Sequence, residues 1–189
     1  MKNLKTKGIL KEIEKKAASD DLPIIGPKKG QVLVSVIKKY QPLRILEVGT
    51  NVGYSTILMA SSFPETVRQK AKIITIEIDP QTAASARRNI KKANLEKFIE
   101  VKVGDAKEVI PKLKGRFNML FLDAIKEEYL DYLKLAEPLL SQDAVIVADN
   151  VGIFKMVMHN FLAYVRESGR YKSKTYDFVT DAVEVSIRG

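Results

Sequence analysis

Residues 45–55 read Ile45-Leu46-Glu47-Val48-Gly49-Thr50-Asn51-Val52-Gly53-Tyr54-Ser55. An apolar run, broken only by Glu47, passes straight into a glycine turn, and an apolar helical stretch follows at 56–60. A strand, turn and helix in this order open a nucleotide-sized crevice at the carboxyl end of the first strand of an α/β domain. The alternation continues along the chain. Apolar runs at Arg44–Val48, Ile73–Ile78, Ile99–Val103, Met119–Leu122 and Ala144–Ala148 read as strands buried on both faces. Helical patterns fall between them at Tyr54–Ser61, Pro80–Ala93, Ala106–Leu113 and Lys126–Leu140, with Pro80 suited to a first helical turn. Two further helices, near Leu4–Ala18 and Lys28–Tyr40, precede the first strand. After Asn150 the pattern predicts a helix over Phe154–Glu167 and two strands, Lys174–Val179 and Ala182–Ile187. Only Thr180 and Asp181 separate those two strands, so they pair as an antiparallel hairpin. The expectation is an α/β fold with a seven-stranded, mostly parallel sheet, an antiparallel C-terminal hairpin and helices on both faces. It forms one domain over residues 1–189, with residues 1–40 as helices capping the site.

Composition narrows the chemistry. A chain of 189 residues, 46% of them hydrophobic, suits one domain with a full core. No apolar run is long enough to span a membrane, and the lysine-rich start lacks the apolar core of a signal peptide. A cytoplasmic location without membrane association is expected. There is no cysteine, which excludes disulfides, thiolate catalysis and cysteine-ligated metals. The single histidine, His159, lies in an apolar stretch and cannot build a His-rich metal site. Any metal must therefore be held by oxygen, which favours Mg²⁺ or another hard divalent cation. The missing cysteine and abundant lysine and isoleucine point to a heat-adapted source.

The net charge is +9. Residues 1–40 hold ten lysines against four acids, hence +6. A basic arm attracts nucleic acid or acidic substrates. The simpler reading, and the one preferred, is a solvated amphipathic helix with Leu4, Ile9, Leu10, Ile13 and Ala17 on its inner face. Tyr40 is the only aromatic residue in this region, so a nucleic-acid surface lacks stacking platforms.

The turn selects the cofactor. Its spacing, Glu-x-Gly-x-x-x-Gly, lacks the middle glycine that lets backbone approach a pyrophosphate. S-adenosylmethionine (SAM) carries no phosphate, so the turn favours SAM over a dinucleotide. Glu77 ends the second strand, where an acid of such a domain accepts from the ribose hydroxyls, while Asp79 before Pro80 suits a helix N-cap. Gly104, Asp105 and Ala106 follow the third strand at the next crevice loop. Asp105 either accepts from the adenine amino group or caps the following helix. Tyr54 and Ser55 open the first crossover helix, whose N-terminus and serine hydroxyl either bind the methionine carboxylate or serve only as a cap.

The fourth strand ends in Asp123 and the fifth in Asp149-Asn150. Three oxygen ligands at neighbouring strand ends leave about three octahedral positions for substrate oxygens and water on Mg²⁺. Lys126 stands over the same edge, where a neighbouring cation drives an amine toward its neutral, basic form.

These residues carry a resemblance. The chain resembles the catechol O-methyltransferase family of cation-dependent, SAM-dependent O-methyltransferases, including the caffeoyl-CoA type. The matching segments are Lys29-Gly30-Gln31, Leu46–Ser55, Ile74–Pro80, Val109–Leu113, Phe121–Tyr129, Ala148–Val151, Phe161-Leu162-Ala163 and Asp181–Gly189. The resemblance implies the class I methyltransferase fold. It implies Asp123, Asp149 and Asn150 as metal ligands, with Lys126 as general base and Asp123 beside it in catalysis. It implies SAM contacts from Ile25, Glu47, Gly49, Asn51, Gly53, Tyr54, Ser55, Glu77, Ile78, Gly104, Asp105, Ala106 and Asp123. The substrate is then met by Lys126, Asn150 and Glu184, although Glu184 also reads as an ordinary strand glutamate. The implied substrate is a small hydroxylated aromatic or vicinal diol. The same site acting on a hydroxylated tRNA base is the alternative, and relatives often form homodimers. Departures lie at Ala124-Ile125, where the mammalian catechol enzyme has histidine and tryptophan, and in the absence of any tryptophan. Ile125 predicts a less polar rim near the adenine or substrate.

Overall fold

The computed structural model describes residues 2–189. The elements follow in the order α1 Lys2–Asp20, α2 Gly26–Tyr40, β1 Arg44–Val48, α3 Tyr54–Ser62, α4 Glu65–Arg68, β2 Lys72–Glu77, α5 Pro80–Lys92, β3 Ile99–Val103, α6 Ala106–Val109, β4 Phe117–Leu122, α7 Tyr129–Ala136, β5 Leu140–Ala148, α8 His159–Glu167, β6 Tyr171–Asp177 and β7 Ala182–Arg188. The strands form one sheet in the order β3-β2-β1-β4-β5-β7-β6. Only the β5–β7 and β6–β7 pairs are antiparallel. This is the expected architecture, and the strand order reverses between β1 and β4. At that point successive crossovers leave on opposite faces and a crevice opens above the strand ends.

Alternation along the strands divides the core. Ile45, Met119, Phe121, Val145 and Val147 face α1, α2, α3 and α5. Leu46, Val48, Leu120, Leu122 and Ile146 face α7 and α8. Burial on both faces explains why these strands read as unbroken apolar runs. α5 shows how a crossover helix is seated. Asp79 caps it by accepting from Thr82 N at 2.6 Å, Pro80 opens it, and Ala83, Ala86 and Ile90 form its buried stripe.

Four expectations change. Residues 151–158 are turns, so the helix predicted from Phe154 begins only at His159. Val151 N is held by Ala182 O and the N–H groups of Gly152 and Ile153 by the Asp181 carboxylate, while isolated helical bonds, Phe154 N to Asn150 O (3.1 Å) and Met158 N to Phe154 O (2.9 Å), make the segment a run of turns. The helix expected over Lys126–Leu140 is α only at Tyr129–Ala136, flanked by 3₁₀ turns, with Pro138 in the second. The hairpin loop has four residues, 178–181, closed by Phe178 N donating to Asp181 O at 2.8 Å. On α1 the buried stripe is Thr6, Ile9, Leu10, Ile13 and Ala17, whereas Leu4 is 74% exposed. Leu4 precedes Thr6 by two residues, about 200° around the helix. Among the described residues no helix is long and apolar enough to cross a membrane.

Candidate active site

The parallel ladder runs one residue past the strand ends. Gly49 N donates to Ile76 O (3.0 Å), Asp123 N to Val48 O (2.9 Å) and Asp149 N to Leu122 O (3.0 Å). Strand register thus brings Gly49, Asp123 and Asp149 level at the point where the strand order reverses. Gly49 has φ 97°, and a Cβ there would lie 2.1 Å from the Asp123 carbonyl oxygen. No side chain fits between these two strand ends.

Two compartments meet at this row, sharing Pro23, Gly49, Asn51, Asp123 and Ala124 in their walls. The first, about 390 Å³, has an apolar wall of Val48, Ile76, Ile78, Ala106 and Ile125 and polar groups at Glu77 and Asp105. Gly104 and Tyr132 complete this wall. Glu77 Oε2 accepts from Asn51 N (2.7 Å) and Oε1 from Asp79 N (3.1 Å), which holds the carboxylate at the wall. Asn51, at φ 47°, also donates from Nδ2 to Pro23 O (2.6 Å), tying the glycine turn to the α1–α2 connection. Asp105 Oδ1 caps α6 through Lys107 N (2.8 Å) while the residue still lines the compartment. The two readings of Asp105 are therefore compatible.

The second compartment, about 360 Å³, is walled by Ile24, Ile25, Thr50, Tyr54, Ser55, Lys126, Asp149, Asn150 and Phe154. Ser55 Oγ donates to Glu47 Oε1 at 2.5 Å, and Thr56 Oγ1 donates to Glu47 Oε2. Glu47 is fully buried and is not part of the wall of either compartment. It stands on the α3 face of β1, beneath the wall, and orients Ser55. Burial pushes its carboxyl up to about 7, against the pull of the Ser55, Thr56 and Thr75 hydroxyls. Gly53 also lines neither compartment. It is the left-handed N-cap of α3, packed 3.4 Å (from its would-be Cβ) against Ala86. Tyr54 lines the wall, but its hydroxyl is committed to Glu14 of α1 at 2.6 Å.

Charged groups gather at the far end of this compartment. Lys126 Nζ donates to Asp123 Oδ1 (2.8 Å) and to the Tyr129 hydroxyl (2.9 Å). Burial, with Asp123 and Asp149 nearby, holds the Tyr129 phenol well above its ordinary value. Asp149 is 1% exposed. Lys29 Nζ donates to its Oδ2 at 2.8 Å and lies 2.7 Å from Oδ1, off the hydrogen-bonding direction. Oδ1 is therefore buried with no hydrogen-bond partner. Burial, helped by repulsion from Asp123 and opposed by Lys29, raises Asp149 to about 6. Burial disfavours the Lys29 charge, but the carboxylates of Asp149 and Asp181 outweigh it and keep the lysine above its ordinary range. Asn150, at φ 64°, turns its Nδ2 to Asp181 Oδ2 at 2.8 Å.

Glu184 does not reach this cluster. On β7, Val183 and Val185 face the α2 side, so Glu184 faces α8, where Arg166 clasps it with Nε (2.9 Å) and Nη2 (2.8 Å) and Thr175 donates to it. Strand alternation makes it the buried half of a structural ion pair, which corrects the substrate role. Conversely, Lys29, Asp181, Phe154 and Tyr132 were not singled out as site residues. Lys29 and Asp181 lie inside segments that carried the resemblance, which was the available signal. Phe154 was hidden by the helical pattern.

A crevice walled by Glu77 and Asp105 beside the acids Asp123 and Asp149 accords with the comparisons. The sequence profile of the O-methyltransferase family matches residues 2–168. The chain belongs to this family. Within it, the catechol O-methyltransferase of Niastella koreensis is 39% identical over 131 residues, covering 67% of this chain and 58% of that protein. The catechol O-methyltransferase of Mus musculus is 34% identical over 168 residues, covering 85% and 61%. This chain thus spans about three fifths of the length of these two family members. The O-methyltransferase TomG of Streptomyces achromogenes, solved in complex with SAM and involved in tomaymycin synthesis, superposes with a TM-score of 0.84 at 25% identity. The match covers 95% of this chain and 89% of that one.

Proposed function

We propose that this chain, working as one domain, is a SAM-dependent O-methyltransferase that methylates a hydroxyl of a small substrate carrying two adjacent oxygens. The observation that carries the reading is the convergence of Asp123, Lys126, Asp149 and Asn150 in one cavity, directly beside the compartment holding Glu77 and Asp105. In this reading the first compartment takes the adenosine of SAM, with Glu77 accepting from the ribose hydroxyls and Ile78, Ala106 and Ile125 flanking the base. Ser55, oriented by Glu47, and the start of α3 receive the methionine carboxylate.

The residues present also suit a divalent cation. Asp149 Oδ1 is a buried oxygen without a hydrogen bond; Asp123, Asp149 and the Asn150 amide offer oxygen ligands, and the Lys29 ammonium, 2.7 Å from Oδ1, is the charge a cation would replace there. Among the described residues no three His, Cys, Asp or Glu side chains gather as a metal cluster. The third donor of the proposed set is the Asn150 amide. Asp123, Asp149 and Asn150 would hold Mg²⁺, which supplies charge that makes a substrate hydroxyl more acidic. Lys126 is the group placed to take the hydroxyl proton on Nζ. Nζ now donates to Asp123 and to the Tyr129 hydroxyl, and it can accept the hydroxyl proton only as the free amine, after one of its protons has passed to solvent. SAM, when bound, would supply the methyl group to the substrate oxygen and leave as S-adenosylhomocysteine, with the electron pair of the broken carbon–sulfur bond on sulfur. Ile24, Ile25 and Phe154 give this cavity an apolar wall.

The test is transfer of a labelled methyl from SAM, with Mg²⁺, to vicinal diphenols and caffeoyl-type esters. Turnover that stops on chelation is expected. Asp149→Ala should abolish turnover and leave S-adenosylhomocysteine (SAH) affinity within about threefold. Equal rates with and without chelator would sink the cation-dependent reading.

A further inference from the structure

We propose that Asp181, in the β6–β7 loop, is a positioning residue of the cation site: it fixes the amide of Asn150 and gives Lys29 a second partner, so that Asp149 can be released to a cation. This rests on the reading of Asp123, Asp149 and Asn150 as cation ligands.

The two oxygens of Asp181 do separate work. Oδ1 accepts from Gly152 N (3.2 Å) and Ile153 N (3.1 Å), pinning the loop that follows Asn150. Oδ2 accepts from Asn150 Nδ2 (2.8 Å) and Lys29 Nζ (2.6 Å). An asparagine amide is nearly symmetric in shape, so only a hydrogen-bond partner decides which end faces a site. An acceptor-only carboxylate can hold only the NH₂ end. That leaves Oδ1 as the end of Asn150 available to a cation in a cavity it shares with Asp123 and Asp149.

Lys29 raises a second requirement. Its ammonium sits on the carboxylate a cation would need, and the side chains of Lys29, Asp149 and Asp181 are 16%, 2% and 9% exposed. A charge so poorly solvated cannot be left alone without a large penalty. Because Lys29 already reaches Asp181 at 2.6 Å, it stays paired when a cation takes Asp149. Without Asp181, the cation must break the only ion pair Lys29 has at this site.

Mn²⁺ binding to the full chain, followed by electron paramagnetic resonance with SAH present, tests this without any turnover. Asp181→Asn and Asp181→Ala should weaken Mn²⁺ about 10- to 100-fold, the range for residues that support a ligand. SAH affinity should stay within about threefold, which reports that the fold is intact. Lys29→Met should bind Mn²⁺ at least as tightly as the wild type, and added to Asp181→Ala it should recover much of the lost affinity. A merely structural role for Asp181 predicts no recovery. Wild-type Mn²⁺ affinity in Asp181→Asn, or no recovery in the double variant, overturns the proposal. If wild type and Asp149→Ala bind Mn²⁺ alike, the cation site itself falls. If only Asp149→Ala loses Mn²⁺, the site stands and the role of Asp181 falls.

Discussion

Glu47→Gln should flatten the pH dependence of stability. Glu47 is completely buried, and burial outweighs three hydroxyl hydrogen bonds to bring its folded-state pKa to about 7, against an ordinary value of 4.5. A carboxyl raised on folding is more easily kept protonated in the native state than in the unfolded chain. Its contribution is therefore fully present below pH 4.5 and is lost as pH rises toward and through 7. Between pH 5 and pH 8 the unfolded glutamate is already mostly ionised, while the folded one passes through its own ionisation near pH 7. At about 1.4 kcal/mol per pKa unit, this group removes roughly 2 to 3 kcal/mol of stability across that interval. Glutamine keeps the size and an acceptor for Ser55 or Thr56 but has no proton to lose. Urea unfolding of both proteins at pH 5 and pH 8 gives the comparison. Asp149 is raised in the same direction and contributes to both proteins, so the difference of the two differences isolates Glu47. The expected result is that the wild type loses about 2 to 3 kcal/mol more than Glu47→Gln between the two pH values. Equal losses would refute the claim that burial dominates at Glu47.

Gly49→Ala should cost about 3 kcal/mol or more and abolish SAH binding, because a left-handed backbone and a Cβ 2.1 Å from Asp123 O both oppose it. Thermal unfolding and calorimetric titration with SAH check both parts. Glu77→Ala should weaken SAH about 10- to 100-fold, from lost charge-assisted hydrogen bonds, with a smaller effect on stability; titration with SAH against an analogue lacking the ribose hydroxyls separates the ribose contribution. Arg166→Met leaves Glu184 buried and unpaired and should destabilise the chain by about 3 kcal/mol, while substrate KM in Glu184→Gln stays near the wild-type value. A large KM increase in Glu184→Gln would return that residue to the substrate site.

Much of this molecule is visible in one dimension because its sheet is buried on both faces. A strand such as Met119–Leu122 must then be apolar throughout, and the first charged residue after it, Asp123, marks where the strand meets the crevice. The same logic located Asp149, Glu77 and the glycine turn. Periodicity misled at 153–157, where Ile153, Phe154, Met156 and Val157 are exposed or half-exposed and repeat like the face of a helix. Asp181, about thirty residues later, holds the N–H groups of Gly152 and Ile153 at the entrance to this stretch, and no local pattern can report that contact.

The sequence by itself thus determined the α/β layers, the crevice and the row of acids at the strand ends, since each follows from burial of consecutive residues. Tertiary structure decided which of those groups can act. Lys29 and Asp149 are 120 positions apart and Lys29 and Asp181 are 152 apart, yet all three share one ammonium. Glu47 and Glu184 were drawn below or away from the cavity by the face on which their strands present them. Burial is written residue by residue, but an ionic partner, a hydrogen-bonded amide and the direction of a side chain exist only once distant segments meet.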